Sequence, residues 1–324
     1  MNAIKIGLDL GMSSSKLVGK AGGLLFFNQA SLASGERMEG NLAGMKSRRR
    51  PMVVSGPFGQ FYVGKDAHDF GQPVESFDFD HLTGTNEMRA LVYGALTAYQ
   101  KKFGEFAGPL TLVVGLPLQL MMGSEAKRNQ AAVMKWLNGH HEWEADGEAG
   151  AVEVEKVLLA PQALGALFDY VFDMKGQAIA GREEALRLEC AEISIGSNSV
   201  ELMVTKRNSD TERFNGGKAV GVRKLFQRVD PKGLYTYGEL DMLLRSGDLD
   251  VKEHIASWSI DVKDFINKKW EGAHERFHRV FIVGGGAILL GSHLTSKFNG
   301  HAVVLDDPVM AIAQGLYKLS LVNK

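Results

Sequence analysis

With 324 residues, the chain is long enough for two hydrophobic cores of about 100–200 residues each. Its 45% hydrophobic and 23% charged residues are the balance of a globular protein, and a net charge of -1 excludes a broad electrostatic footprint for nucleic acid. A single cysteine, Cys190, excludes an intrachain disulfide and, lying in an apolar run, reads as a buried structural thiol. The opening apolar run is too short for a signal peptide. No stretch approaches the roughly 18 apolar residues that span a bilayer, so the expectation is a cytoplasmic protein.

"AIKIGLDLG" and "SKLVGKAGGLLFF" read as two strands of a hairpin turning at "MSSS". After a polar stretch with Arg48, Arg49 and Arg50, read as a solvated turn or a partner-binding patch, "PMVVSG" and "GQFYVGKDA" form a second hairpin. "SFDFDHL" alternates Phe77 and Phe79 with Asp78 and Asp80, which favours an edge strand over a filament contact. "TNEMRALVYGALTAYQKKFG" has helical spacing and a stop at Gly104. "LTLVVGLPLQL" is a buried strand, and "SEAKRNQAAVMKWLNG" a helix capped by Ser124. "GHHEW", with His140 and His141, reads as an exposed turn, and the glutamates after it as a solvated hairpin. "EVEKVLLAPQALGALFDYVF" is a strand entering a helix after Pro161.

The second half repeats this grammar. "RLECAEISIG" and "SVELMVTKR" are paired strands, "GVRKLFQRV" to "KDFINKKWEGA" is mainly helical, and "HRVFIVGGGAILLGSHLTSKF" is strand, glycine turn and helix. "HAVVLDDPVMAIAQGLYKLSL" supplies a last strand and, after Pro308, a final helix. Two similar hairpin starts imply a duplicated α/β unit. Trp136, Trp143, Trp258 and Trp270 read as core or interface residues.

Three turns carry candidate chemistry. In "DLGMSSSK", Gly11 permits close backbone approach, Ser13, Ser14 and Ser15 offer N–H and hydroxyl donors, and Lys16 offers a point charge for phosphate. Asp9 ends an apolar strand, where a carboxylate needs a partner or a hydrated cation. In "SIGSNSVE", Gly196, Ser197, Asn198 and Ser199 suit a second anion-wrapping turn. In "VFIVGGGAILL", Gly284, Gly285 and Gly286 let a flat ring or ribose lie against bare backbone. No Walker loop is present, and the histidines lack metal-ligand spacing.

In this order, the turns and the helices "LAPQALGALF" and "DDPVMAIAQGLYKL" resemble the phosphate, connecting and adenosine motifs of the actin, sugar-kinase and heat-shock-chaperone superfamily. Within it, the chain looks like the ParM-type plasmid-segregation actins. The resemblance implies an α/β, actin-like (ribonuclease H-like) fold with two duplicated α/β domains flanking a nucleotide cleft. Domain I would be 1–165 plus 305–324, with an insertion at about 30–90. Domain II would be 166–304, with an insertion at about 222–278. It also implies ATP, or GTP, with Mg²⁺ as the bound nucleotide. Asp9 would hold the hydrated metal, Lys16 the β-phosphate, residues 196–199 the terminal phosphates, and the three glycines the adenosine. Gly221 would sit beside the ribose, and Gln162 would orient the attacking water. A head-to-tail polymer of the chain, reaching DNA through an adaptor rather than directly and binding no membrane, follows by the same resemblance. Rival expectations are a non-hydrolysing scaffold and a small-molecule kinase.

One position departs from the pattern. Ser194 stands where the family's second phosphate motif begins with aspartate, and its acid partner is represented only by Glu201. Serine does not offset metal charge, so slow hydrolysis is expected. Glu192, two residues back on the same strand face, is a candidate to compensate through a water.

Overall fold

The structure, a computed structural model, describes residues 3–33, 49–76, 78–207 and 209–322. Strands β1 (Ile4–Leu10), β2 (Ser14–Gly19), β3 (Gly22–Phe27), β4 (Ala30–Leu32), β5 (Met52–Gly56), β6 (Gly59–Val63) and β7 (Gln72–Val74) precede helix α1 (Asn86–Phe103). Strand β8 (Leu110–Leu116), helices α2 (Leu118–Met121) and α3 (Ala126–Leu137), and strands β9 (Gly139–Ala145) and β10 (Glu148–Pro161) follow. All ten strands join in one sheet, in the order β3-β2-β1-β8-β10-β9-β5-β6-β4-β7. Its central strands β1, β8 and β10 run parallel. Interior strands have both faces covered, which is why "IKIGLDL" and "LTLVVGL" are nearly continuous apolar runs.

Helix α4 (Gln162–Val171) leads to the second sheet. Its strands are β11 (Cys190–Ile195), β12 (Val200–Lys206), β13 (Ser209–Asp210) and β14 (Gly216–Lys218), then, after helices α5 (Val222–Val229), α6 (Tyr237–Ser246) and α7 (Lys252–Trp270), β15 (Arg279–Val283). Helix α8 (Ala287–Thr295), strand β16 (Ala302–Val304) and helix α9 (Ala311–Val322) complete the chain. The order is β13-β12-β11-β15-β16, with β14 also on β12. Each sheet therefore opens with an antiparallel hairpin beside a parallel strand.

One core lies between the first sheet and α1 and α3, another between the second sheet and α5, α7 and α8. A third joins them through α4 and α9, whose backbones meet at Gly165 and Gly315. A Cβ on Gly315 would sit 1.8 Å from the Gly165 carbonyl oxygen, so only glycine fits this crossing. A buried ion pair, Lys318 Nζ to Asp169 Oδ1 at 2.5 Å, ties the same helices further along. All four tryptophans and Cys190 are buried, and burial pushes the Cys190 thiol up to about 12, leaving it inert.

Several local expectations are corrected. "SKLVGKAGGLLFF" is two strands, because Lys20 and Ala21 turn the chain and Gly22 takes a positive φ of 145°. In "SFDFDHL", Phe77 lies outside the described residues, and Phe79–Thr83 form a 3₁₀ helix rather than an edge strand. Ser124 does not cap α3, whose cap position is Glu125, with no side-chain cap bond. His140 and His141 lie in β9, not in a turn. His141 is buried between the Tyr93 hydroxyl (3.0 Å) and the Leu137 carbonyl (2.9 Å). Burial lowers its pKa, so the ring stays neutral. Arg49 and Arg50 are exposed, and Arg48 lies outside the described residues.

Candidate functional site

A cavity of about 550 Å³ opens between the two sheets, within the usual range for a small-molecule site. Both hairpin turns line it. From the first come Asp9, Gly11, Ser13, Ser14 and Lys16; from the second come Gly196, Ser197, Asn198 and Ser199. Gln162, at the first turn of α4, and Ser194 also face it.

The first turn is held by a residue that sequence reading passed over. Asn28 donates its amide to the Gly11 carbonyl (2.6 Å) and accepts from the Ser15 N–H (3.1 Å), while its backbone N–H reaches the Ser13 carbonyl (2.9 Å). Ser15 therefore supports the turn and does not line the cavity. The second turn closes with Gly196 N–H on the Ser199 carbonyl (2.9 Å). The start of α5 pins it: Gly221, Val222 and Arg223 donate their N–H groups to the carbonyls of Asn198, Gly196 and Ser197. Gly221 does not line the cavity. It packs so closely beneath the turn that a Cβ would lie 2.5 Å from the Gly196 oxygen.

The glycine turn after β15 divides by role. Gly284 has φ 90° and donates to the Pro308 carbonyl (2.6 Å), and a Cβ there would strike the Ile195 oxygen at 2.4 Å. Gly286 is sealed against the Ile195 side chain and does not line the cavity. Gly285 has open space where a Cβ would be, so bare backbone faces the cavity as expected for a flat ligand. Ile288 and Leu289 extend this apolar shelf. From α6, Asp241, Leu244 and Arg245 complete that end, Arg245 Nε donating to Asp241 Oδ2 at 2.8 Å. These α6 residues had no sequence signal beyond helical spacing; a half-buried Asp–Arg pair four residues apart is the only hint.

Charge is concentrated at Asp9, which is only 2% exposed. Lys16 Nζ lies 3.1 Å from its Oδ2, and the Gln162 amide donates to its Oδ1 at 2.7 Å. Such a pair is expensive to bury and profits from exchanging partners, an anionic group for Lys16 and a cation for Asp9. Ser194 pairs directly with Glu201 across the β11–β12 hairpin. Glu201 is buried, accepts the Leu118 N–H at 3.2 Å through one oxygen, and has no partner on the other. Burial pushes its carboxyl up to about 8, the Leu118 N–H opposing and the nearby Asp9 charge adding. Glu192 is fully buried on the Thr205 hydroxyl (3.2 Å) and does not line the cavity.

Among the described residues, no three His, Cys, Asp or Glu side chains are grouped to hold a metal ion. Asp9, which lines the cavity, instead suits Mg²⁺, which keeps waters and takes one or two carboxylates plus ligand phosphates, whereas Glu201 does not line it. When bound, the ion would neutralise charge on those phosphates.

Two sheets whose hairpin turns face one cavity, with an apolar glycine shelf along it, bring backbone N–H groups, hydroxyls and Lys16 from both halves of the molecule around a single space. The family description "Actin like proteins N terminal domain" matches residues 7–165. The chain shares its fold with an apo pSK41 ParM protein (TM-score 0.74, 16% identity, covering 99% of this chain and 98% of that one). It also matches an archaeal actin homologue solved with ADP (TM-score 0.71, 16% identity, 98% and 99% covered). A third match is a 15-stranded ParM filament from Clostridium botulinum (TM-score 0.71, 17% identity, 98% and 99% covered). Comparison with curated protein sequences gives no match. Residues 7–165 match that actin-like family description, and the chain as a whole shares the fold of these actin-like proteins.

Proposed function

We propose that this protein binds ATP with Mg²⁺ in the cavity between its sheets and assembles into head-to-tail filaments that segregate or position DNA. The observation that carries the reading is the convergence of both glycine–hydroxyl turns, with Lys16, on one cavity. Asp9 holds the hydrated metal, Lys16 and residues 196–199 hold the phosphates, and Gly285 with Ile288 receives the base. Gln162, oriented by its bond to Asp9, presents its amide to the attacking water. A phosphate chain bridging both turns rewards the closed arrangement of the halves, which makes occupancy the assembly switch. Filament contacts that do not close into a ring generate an open polymer. The filaments among the structurally similar proteins support this reading, as does the near-neutral charge, which favours an adaptor for DNA.

We assign domain I to residues 1–165 with 305–324 and domain II to 166–304, and place the protein in the cytoplasm; no helix among the described residues is long and apolar enough to cross a membrane. Ser194 favours slow turnover, and in the limit a scaffold that binds without hydrolysing. Light scattering and pelleting with ATP, read beside phosphate release, test the proposal. Assembly with slow release is expected, assembly without release supports the scaffold, and no ATP-dependent assembly refutes the filament reading.

A further inference from the structure

An open, basic pocket of about 760 Å³ lies at the far edge of the second sheet from the cavity, where β11 and β15 begin and β12 ends. Arg187, Lys206, Arg207 and Arg276 line it together with His278, His301 and Leu188, an apolar side chain left 40% exposed. Against these four cations stand two carboxylates, Glu189 and Glu275. Glu189 is buried and fixes two of the cations, with Arg276 Nη2 at 2.7 Å and Lys206 Nζ at 3.7 Å. Arg187 and Arg207 are exposed and have no carboxylate partner among the described residues. The Arg207 N–H donates to the Arg187 carbonyl (3.2 Å), which holds the two side by side. Surplus positive charge around an exposed apolar side chain suits an anionic partner surface.

A complementary surface lies on the first sheet. In the β9–β10 hairpin, His141, Trp143, Val152 and Val154 are buried. Strand alternation turns Glu142, Glu144 and Glu153 to the opposite side, where all three are exposed. The register sets Ala151 opposite Glu142 and Ala149 opposite Glu144, so these carboxylates stand over a floor of small apolar side chains. His140 draws two of the acids together, 3.1 Å from Glu142 and 3.2 Å from Glu153. Neither surface lines the cavity.

We propose, resting on the filament reading above, that the basic pocket of one copy receives the acidic β9–β10 face of the next, with Leu188 over Ala149 and Ala151. A net charge of -1 gives whole chains no attraction for one another, whereas charges separated onto two surfaces do. Because the two surfaces differ, every copy offers one and uses the other, and such a heterologous contact propagates.

Two double variants and their mixture test this. Arg187→Glu with Arg207→Glu reverses the pocket, and Glu142→Lys with Glu144→Lys reverses the face. All four positions are exposed and outside the cavity, so thermal melts and ADP affinity are expected to match wild type. In pelleting with ATP, each variant alone is expected to need a concentration at least about tenfold higher to assemble. An equimolar mixture is expected to recover assembly, since each variant then meets its complement on both surfaces. Raising salt from about 0.1 M to about 1 M shortens the screening length from about 10 Å to about 3 Å and is expected to weaken wild-type assembly. Assembly like wild type by either variant alone, or failure of the mixture, overturns this contact and leaves the filament reading standing. Wild type that never pellets overturns both. Loss of duplex DNA binding by the Arg187 and Arg207 variant, with its assembly intact, would give the pocket to nucleic acid and overturn the contact as well.

Discussion

Replacing Gly315 by alanine tests the crossing on which both halves depend. In an exposed helix interior this change stabilises by about 1 kcal/mol, because alanine is the better helix former. Here the added Cβ lies 1.8 Å from the Gly165 oxygen, 2.6 Å from its carbonyl carbon and 2.8 Å from its Cα, where ordinary contact begins at 3.4 Å. All three neighbours are backbone, so no rotamer change relieves the clash and α9 must draw away from α4 by about 1.6 Å. A gap of 0.5–1 Å already forfeits about a quarter to a half of each contact's dispersion energy, and Leu167, Val171, Ile312 and Leu316 all sit in this core. Overpacking of this kind costs about 1–3 kcal/mol, occasionally more, and the loosened core adds to it. We expect Gly315→Ala to lose about 3 kcal/mol net, a fall in melting temperature of roughly 6–10 °C. Because α4 begins at Gln162, its displacement also breaks the 2.7 Å bond to Asp9 and weakens nucleotide binding. Urea denaturation and thermal melts of wild type and variant settle the matter. A variant as stable as wild type, or the gain seen at exposed helical glycines, would refute the crossing.

Other consequences concern the charged site. Glu201 takes a pKa of about 8 in the folded chain against an ordinary value near 4.5. Below 4.5 both states hold the proton; between 4.5 and about 8 only the folded state does, so stability falls as pH rises, by up to about 1.4 kcal/mol per pH unit, and levels off above. Nucleotide-free Glu201→Gln is therefore expected to gain on wild type across that window in urea melts at stepped pH; an advantage that shrinks towards pH 8 would contradict the assignment. Lys16→Met removes the cation 3.1 Å from Asp9 and is expected to lower ADP affinity by about a hundredfold in calorimetry. Retained affinity would remove Lys16 from the site. Ser194→Asp sets a carboxylate opposite Glu201, and is expected to lower the stability of the nucleotide-free protein by about 1 kcal/mol. The same variant should release phosphate from ATP faster than Ser194→Ala, and the reverse order would show that the missing acid is no handicap.

Much of this was legible in the chain itself. Strands with both faces covered need unbroken apolar runs, so β1, β8, β11 and β15 stood out, and the glycine–hydroxyl turns stood out because turns of that composition follow apolar strands twice. Helix α1 ended at Gly104 as its spacing implied, the glycine taking a φ of 95°. Short or amphipathic pieces were less readable. "SFDFDHL" alternates like a strand, yet its Phe79–Thr83 segment winds into 3₁₀ turns and puts the Trp136 ring N–H on the Leu82 carbonyl at 2.8 Å. His141 read as exposed because its burial depends on Tyr93, 48 residues away.

Local order fixed which residues form the two turns, since backbone preference and apolar periodicity act over a few neighbours. That both turns meet one cavity, that Asn28 and the start of α5 brace them, that Glu201 stands across from Ser194, and that Asp241 and Arg245 join from α6 were settled by folding. Those pairings depend on strand register and on one glycine-to-glycine helix crossing, distances that no run of neighbouring residues encodes.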